Sequence, residues 1–439
     1  IMQSGRPISF SRGDNGDAYI GGCLVNNLVK KYGSPLYILD QQTIIDNCRS
    51  YTVPLSQYYP HFRVMYAGKA NLTIGLLDLL ASEGIGVDVS SGGELYTALQ
   101  SNMKSEDIIF HGNNKSIEEL QLAIDHQVTI MLDNDQELDR IMHYSSKTQP
   151  TKVMVRLKPG IEANTHDYIK TGHSESKFGF NLSDMVSVVK TCHESDRIQF
   201  LGIHAHIGSQ LFDPAPYMAL VDCMVGHLVT LKQELGIDVH QLNLGGGVGI
   251  KYTEADHPLP ISDFMTTLSQ RLVQRLDEKG LSHPLLMLEP GRSIVGNAGV
   301  TVYTIGSIKS VSKEKTYIFV DGGMADNPRP LIYHSEHLFE LVRGPVNGDH
   351  SDNGQFYAIA GKFCESGDVL AQNVLLDSPE SGDLLMVYGT GAYNYSMASN
   401  YNRARRLAMI LVNQGQSQIL VQRESFEDLV RLDRRLERL

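Results

Sequence analysis

Apolar and polar positions follow two different patterns along the chain. From Arg63 onward, short apolar runs rich in Val and Ile are separated by amphipathic stretches such as LTIGLLDLLASEG and GELYTALQSN. Strands that alternate with helices predict parallel β-α-β units, and nearly continuous apolar strands predict a sheet that helices cover. The eight strand-like runs cover 63–70, 85–91, 108–112, 128–133, 152–159, 200–209, 241–247 and 284–291.

Eight such units over residues 63–291 predict an α/β fold, a closed (β/α)8 barrel of the TIM type. A doubly wound open sheet is the alternative that the pattern leaves open. After Gly299, short β-rich runs divided by turn residues predict a second, mostly antiparallel β-domain. The run PLYILD (35–40) is assigned to this domain, so both chain ends build it. The predicted boundaries are 41–298 for the barrel, and 1–40 with 299–439 for the β-domain.

The C-terminal stretch differs from the β-rich region before it. RARRLAMILV (403–412) need not follow the β pattern, and FEDLVRLDRRLERL (426–439) predicts a terminal helix. The arginines of this last segment alternate with leucines and acidic residues, which favours a solvated helix face over a binding patch.

Charge and cysteine content narrow the class of protein. The formal net charge of -12 argues against a nucleic-acid binder, which needs a basic face. No apolar run approaches the ~20 residues of a membrane-spanning helix, and Ile1–Phe10 has no basic-then-apolar signal pattern. The five cysteines are odd in number and show no CxxC spacing, which predicts reduced thiols in a cytoplasmic protein.

Chemically capable side chains follow the predicted barrel strands, where (β/α)8 enzymes carry their active sites. Lys69 could form a Schiff base in a desolvated pocket, although a surface lysine is the simpler explanation. Glu289 could keep a pyridine nitrogen protonated or form a strand-end salt bridge. His204 and His206 share one face of the sixth strand. We expect an imidazole to stack on a flat cofactor and expect no metal, since no third zinc ligand is evident.

Glycines and an arginine follow the last two barrel strands. Gly245–Gly247 would let backbone N–H groups approach a phosphate, although a tight loop without a ligand explains them equally well. The GGGVG sequence is not the dinucleotide fingerprint, because no acidic partner follows in the required context. Arg292 could supply the cation for a phosphate or a carboxylate.

Nine motifs occur in a specific order between about Pro35 and Leu411. They are YAGKAN, GVDVSSGGEL, HGNNKS, SKFGF, HAHIGSQ, LNLGGGVGI, EPGRSIVGNAG, CESGD and YGTGAYNYSMASNYN. Each is weak alone, but together the chain resembles the fold-type III pyridoxal-phosphate (PLP) decarboxylases with an alanine racemase-like barrel. The resemblance is strongest to the branch that acts on diaminopimelate.

The resemblance implies the roles of the site residues. Lys69 would hold pyridoxal 5'-phosphate covalently, His206 would stack on its ring, and Glu289 would pair with its pyridine nitrogen. Cys364 would be the catalytic acid that protonates the carbanion after CO2 leaves. The further cofactor contacts implied are Asp88, Ser209, Gly245, Gly246, Gly247, Gly291, Arg292 and Tyr393. The implied substrate contacts are Arg292, Arg329, Tyr333, Glu365 and Tyr393.

The implied partners are a small amino-acid substrate and a second copy of the chain, with neither nucleic acid nor membrane. In the resembled family the residues at Cys364 and Glu365 reach the site of the neighbouring subunit, which makes a homodimer with shared active sites. The chain departs from the family pattern at Gly68, where a larger apolar residue is usual, over 324–330, and at His334, where a small residue is common.

The implied activity is decarboxylation of meso-2,6-diaminopimelate to L-lysine and CO2, the last step of lysine biosynthesis. Arg329 with Tyr333 favours an anionic distal group and Glu365 a cationic one, so an amino acid bearing both fits best. Decarboxylation of ornithine, arginine or carboxynorspermidine is the alternative. An alanine racemase would be expected to place Arg where Glu289 stands. A non-catalytic regulator or a PLP-carrier protein is the alternative from another class.

Overall fold

The computed structural model describes residues 4–160, 175–345 and 354–438. The chain divides into two compact units. The first contains the described residues of Asp46–Ile250 and His257–Ile294. The second contains those of Gln3–Ile45, Lys251–Asp256 and Val295–Leu439. Residues 251–256 therefore group with the second unit, whereas the predicted division assigned them to the barrel. The domain boundaries given above stay a prediction.

The strands of the described residues are β1 (Ser11–Arg12), β2 (Ala18–Ile20), β3 (Cys23–Leu24), β4 (Leu36–Asp40), β5 (Phe62–Ala67), β6 (Gly86–Val89), β7 (Ile108–Phe110), β8 (Thr129–Leu132), β9 (Thr151–Arg156), β10 (Ile198–His204), β11 (Gln241–Asn243), β12 (Leu285–Leu288), β13 (Gly299–Ser310), β14 (Thr316–Val320), β15 (Phe339–Leu341), β16 (Gly354–Ala360), β17 (Val369–Asp377), β18 (Leu384–Tyr388), β19 (Ala408–Asn413) and β20 (Gln416–Val421).

The α-helices are α1 (Val25–Tyr32), α2 (Gln41–Tyr58), α3 (Ile74–Ser82), α4 (Gly92–Leu99), α5 (Ile117–Asp125), α6 (Asp135–Tyr144), α7 (Met185–Glu194), α8 (Ala215–Leu235), α9 (Ile261–Glu278), α10 (Arg292–Val295), α11 (Arg329–Tyr333) and α12 (Phe426–Val430). Within the described ranges, none of them combines the length and the apolar character that a membrane span requires.

The first unit is a closed barrel of eight parallel strands, β5 to β12, with helices between them. Pairing of Leu286 with Phe62 joins the last strand to the first. This confirms the predicted (β/α)8 barrel and excludes the open sheet. All eight predicted strands are present, and strands such as β6 and β8 are buried at every residue, as expected for a sheet that helices cover. One buried cluster joins five barrel strands and consists of Met65, Ile109, Met131, Met154 and Met287.

Polar caps place the loops that leave the carboxyl ends of the barrel strands. The side chains of Thr73, Ser91, Ser116 and Asn134 each accept a backbone N–H from the first turn of the helix that follows. Such caps satisfy amide groups that the helix itself leaves unpaired. These four β-to-α loops therefore each end at a fixed residue, which helps to hold that part of the barrel rim in place.

The second unit is a mostly antiparallel β-structure, as predicted. Its main sheet has the order β17-β16-β14-β13-β4-β19-β20, and β18 pairs with β13 and β15. Strand β4, from the N-terminal part of the chain, lies between β13 and β19 and is buried along its whole length. Both chain ends therefore build this unit, as the position of PLYILD predicted.

The C-terminal prediction was wrong in part. The segment 426–439 was predicted as a helix, but the helix is only Phe426–Val430. Leu432 and Leu436 beyond it are 73% and 91% exposed. Without an apolar surface to pack against, so short a helix is only marginally stable in water. RARRLAMILV, in contrast, contributes strand β19, whose residues Ala408–Val412 are buried beside β4.

Candidate active site

Glu289 is the central charged residue at the carboxyl end of the barrel. It follows β12 directly and is buried. Its Oε2 lies 2.5 Å from Nε2 of His111, and its Oε1 lies 2.6 Å from Nε2 of His204. Burial opposes a charge on this group, but the two imidazoles outweigh burial and hold the pKa of Glu289 well below its usual value. Glu289 is therefore a carboxylate at neutral pH.

Asp88 lies one residue before the end of strand β6 and forms a side-chain hydrogen bond with Glu289. Burial first, and then the charge of Glu289, raise the pKa of Asp88 well above its usual value. Two adjacent buried carboxyl groups cannot both ionise at low cost. Asp88 therefore keeps its proton and donates a hydrogen bond to the Glu289 carboxylate.

Lys69 lies in the short 3-10 turn Gly68–Ala70 that follows β5. The side chain is exposed, because the turn carries the lysine past the end of the buried strand. The simpler explanation, a surface lysine, therefore stays open beside the Schiff-base role. Its ammonium still interacts electrostatically with Asp88, Glu94 and His206.

His206 lies just beyond β10 and is a neutral imidazole. The backbone N–H of Gly246 points at its Nδ1 over 3.3 Å, so Nδ1 acts as the acceptor. Burial, followed by the positive charge of Lys69, lowers the pKa of His206 well below its usual value. A neutral ring of this kind can lie flat against a cofactor without adding charge.

The triglycine loop approaches its neighbours so closely that side chains do not fit. A Cβ on Gly246 would lie 2.2 Å from the carbonyl oxygen of Glu289. A Cβ on Gly247, which has φ +120°, would lie 2.5 Å from the carbonyl oxygen of Gly208. The loop therefore packs against the ends of both β10 and β12. Ser209 is exposed in the adjoining turn.

Two further predicted residues follow β12. A Cβ on Gly291 would lie 3.0 Å from the Cβ of Ala67 at the end of β5. Arg292 begins α10 and is half-buried. The structure thus brings the ends of β5, β6, β10, β11 and β12 together with most of the predicted cofactor residues.

In the second unit, Arg329 is buried and surrounded by tyrosines. Its guanidinium carbon lies 5.1 Å from the ring centre of Tyr252, 5.7 Å from Tyr333 and 6.0 Å from Tyr393. The guanidinium also donates to Ser335 Oγ over 3.2 Å. Aromatic faces stabilise a buried cation such as this one. The structure therefore brings together three of the residues predicted to contact the substrate, namely Arg329, Tyr333 and Tyr393.

Cys364 and Glu365 lie on a different loop of the second unit. The backbone N–H of Cys364 donates to Oδ1 of Asn402 over 2.8 Å, and the cysteine is exposed. Buried Asp368 anchors the loop by accepting N–H bonds from Met324 at 2.7 Å and Phe363 at 3.0 Å. The thiol and the neighbouring carboxylate are thus presented at the surface by a fixed backbone.

Similarity to known proteins shows the family of this chain. A family model described as the pyridoxal binding domain of pyridoxal-dependent decarboxylases matches residues 42–296. The diaminopimelate decarboxylase of Synechocystis sp. is 43% identical over 437 residues, which is 97% of this chain and 92% of that protein. That of Bacillus subtilis is 40% identical and covers 95% of each chain.

The chain belongs to the diaminopimelate decarboxylase family.

Solved structures agree with this assignment. A diaminopimelate decarboxylase from M. jannaschi superimposes with a TM-score of 0.91 at 32% identity, and the match covers 98% of both chains. A second structure of the M. jannaschii enzyme is a co-complex with L-lysine and matches equally well.

The residues at the barrel rim fit the pyridoxal group that gives this decarboxylase family its description. A buried carboxylate suits a pyridine nitrogen, and the neutral His206 suits the face of the ring. At Gly246 a Cβ would collide with the carbonyl oxygen of Glu289, so only glycine lets the loop run this close to the end of β12.

Several ionisable residues near the barrel rim were not among the predicted site residues. His111 follows β7, Asp133 follows β8, and Arg156 ends β9 with its guanidinium 4.7 Å from the ring centre of Phe178. Lys115 forms a buried ion pair with Glu137 at 3.0 Å. The same rule that identified Lys69 and Glu289, polar residues at the carboxyl ends of barrel strands, would have found the first three.

Two departures from the decarboxylase family pattern have a local structural basis. A Cβ on Gly68 would lie 2.9 Å from the carbonyl oxygen of Asp88 and 2.7 Å from Cδ1 of Leu72, so a larger residue requires the neighbours to shift. His334 ends α11 with φ 53°, in the left-handed region. That conformation costs about 1 kcal/mol or more for a residue with a Cβ.

Proposed function

We propose that the protein is a PLP-dependent carboxy-lyase that converts meso-2,6-diaminopimelate to L-lysine and CO2. The observation that carries the proposal is the ionised, buried Glu289 at the rim of a barrel that matches the pyridoxal-binding family. The names of its relatives support the substrate, and so does the L-lysine bound to a similar structure.

In this proposal the barrel unit binds the cofactor. Lys69 would hold it covalently, His206 would stack on its ring, and Glu289 would pair with its pyridine nitrogen. Gly245–Gly247 and Ser209 would bind its phosphate. When bound, PLP withdraws electrons from the carbon that loses its carboxylate. Glu289 stays charged and thereby keeps a proton on the nitrogen opposite it.

Residues of the second unit would recognise the substrate. The guanidinium of Arg329 binds the distal carboxylate, with Tyr333 and Tyr393 beside it, and Arg292 offers a further cation. Glu365 accepts the distal ammonium group. Cys364 donates the proton that replaces CO2, so the product leaves with a hydrogen in place of the carboxylate. We propose that these two residues act in the site of the other subunit of a homodimer.

Decarboxylation of ornithine, arginine or carboxynorspermidine is the second candidate. A lysine/ornithine decarboxylase from Vibrio vulnificus is similar in fold, but its 21% identity says nothing about substrate. Buried Arg329 favours a substrate with two carboxylates over these amino acids, which carry one. The cytoplasmic location suggested by the cysteines stays a prediction.

The test is CO2 release by the PLP-loaded protein. We expect release from meso-diaminopimelate with L-lysine as the product, and little from ornithine, arginine or carboxynorspermidine. Lys69→Ala should abolish release, whereas the matched variant Lys190→Ala, on the exposed face of α7, should not. Release from another of the four amino acids would change the substrate assignment. No release from any of them would overturn the decarboxylase assignment.

A further inference from the structure

The Glu289 carboxylate is held from two sides by imidazoles. The distances are 2.5 Å from Oε2 to Nε2 of His111 and 2.6 Å from Oε1 to Nε2 of His204. All three side chains are buried, and the two rings meet edge to face with their centres 5.0 Å apart. An ionised carboxylate only accepts hydrogen bonds, so each Nε2 carries the hydrogen.

A metal ion is the competing explanation, because two imidazoles and a carboxylate are a common ligand set. Ligand nitrogens and oxygens lie about 2.0–2.2 Å from a zinc ion, and in a tetrahedral site they therefore stand roughly 3.4 Å from one another. The two nitrogen-to-oxygen distances are far shorter than that. The geometry points to direct hydrogen bonds.

We propose that His111 and His204 are positioning residues that hold Glu289 in one orientation as an anion, each donating its Nε2–H to a different oxygen. The use of this anion opposite a pyridine nitrogen rests on the proposed function, whereas the two hydrogen bonds do not. His111 is part of the HGNNKS motif, to which the sequence analysis assigned no role.

The second ring nitrogen of His204, Nδ1, indicates that the imidazole is neutral. Its Nδ1 is buried and meets no hydrogen-bond partner within the described parts of the chain. A bare lone pair tolerates such a place better than an N–H group does. Burial, only partly opposed by the charge of Glu289, lowers the pKa of His204 to about 4. His204 therefore donates as a neutral imidazole.

Other titratable groups also face this cluster. Asp88 donates a hydrogen bond to Glu289, and the positive charge of Lys69 interacts electrostatically with Asp88. Arg156 and His206 interact electrostatically with Glu289. With both imidazoles in place, Glu289 keeps the charge and Asp88 keeps the proton. Loss of either imidazole shifts that proton from the Asp88 carboxyl toward Glu289, which then no longer holds a full charge.

The first experiment measures the two hydrogen bonds in the full chain without added cofactor. Nitrogen-15 NMR of the protein labelled at histidine should show Nε2 of both residues bearing hydrogen, with two far-downfield proton resonances. His111→Leu should remove one resonance, His204→Leu the other, and Glu289→Gln should shift both. The matched control is His227→Leu, another partly buried histidine of the barrel unit, which should leave both in place. Nε2 without hydrogen, or resonances indifferent to Glu289→Gln, would overturn the proposal.

The second experiment reads the consequence for the cofactor. PLP labelled with nitrogen-15 should show a protonated ring nitrogen in the wild type and in His227→Leu. Its shift should move toward the unprotonated value in His111→Leu and His204→Leu. The glutamine variants, which keep a donor at similar reach, should restore the protonated shift. We expect kcat of the leucine variants to fall by about 10- to 100-fold with KM little changed, as for loss of one hydrogen bond to a charge.

The outcomes separate this inference from the proposed function. A wild-type shift in both leucine variants would overturn the positioning role, even if the enzyme releases CO2 from diaminopimelate. Absence of CO2 release by the wild type would instead sink the proposed function. The NMR of the cofactor-free chain still decides whether the two imidazoles hold Glu289.

Discussion

Asp326 shows how one buried residue can couple stability to pH. The carboxyl group lies in the second unit. Its Oδ1 accepts a hydrogen bond from the hydroxyl of Tyr303, and its Oδ2 accepts one from the N–H of Gly323 over 2.9 Å. Burial, reinforced by the negative charges of Asp368 and Asp321, raises the pKa of Asp326 from 3.8 to about 7. A proton therefore stays on the folded protein at pH values where the unfolded chain has lost it.

This shift predicts a pH-dependent effect of Asp326→Asn. A raised carboxyl pKa gives stability that is fully present below about pH 4 and lost as the pH rises toward about 7. Asparagine does not titrate, so the unfolding temperature of the variant should gain on the wild type between pH 5 and pH 8. Thermal unfolding at both pH values measures the gain. The exposed Asp14→Asn should show none, and an equal gap at both pH values for Asp326→Asn would contradict the pKa shift.

At the residue scale, the sequence predicted the identity of the site better than its electrostatics. Lys69, Glu289 and the triglycine were identified because strand ends in a barrel carry function. The neutral state of His206 and the proton on Asp88 were beyond reach, since both depend on burial and on charges distant in sequence. Whether the predicted residues act as assigned stays a prediction.

At the scale of elements, apolar length decided which predictions succeeded. The barrel strands were found because each is a short apolar run between turn signals. The predicted terminal helix was too long because the leucines beyond Val430 are exposed and pack against no apolar surface of the described residues. Strand β19 was missed because three arginines precede its buried residues, so the apolar run is less evident in the sequence.

The long helix α8 offers a test of backbone preference. Gly226 is exposed in its interior, and a Cβ there would meet nothing within 4 Å. Gly226→Ala should stabilise the protein by about 0.5–1 kcal/mol, because alanine loses less backbone freedom on folding. Urea unfolding would measure it. Gly236 ends the same helix with φ +69°, so Gly236→Ala should destabilise by roughly 1–2 kcal/mol. Equal effects of the two substitutions would refute this explanation.

At the scale of the whole molecule, the predicted site residues belong to two separate units. Lys69 and Glu289 lie in the barrel unit, whereas Arg329, Cys364 and Glu365 lie in the second. A catalytic site that needs both sets must draw on two units of one subunit or of two subunits. The proposed homodimer, with Cys364 acting in the neighbouring site, makes the second arrangement testable.

Subunit complementation tests the shared site. Lys69→Ala and Cys364→Ala chains, coexpressed with different tags and purified as a mixed dimer, should recover about half of the wild-type activity, since a two-fold dimer then contains one intact site. A mixed dimer of Lys69→Ala with Glu289→Ala places both defects in the barrel unit and should recover none. Activity no higher than that of the parent variants in the first pair would show that each chain completes its own site.

The contact between Gly246 and the carbonyl oxygen of Glu289 has an evolutionary consequence. Main chain meets main chain there, with no space for a Cβ. The separation between the triglycine loop and the end of β12 is therefore set by the covalent backbone, and selection cannot adjust it one side chain at a time. A relative that evolved to use another amino-acid substrate would have to keep this spacing. The substitutions that change its substrate would have to fall elsewhere, for example at the positions of Arg329 and Glu365.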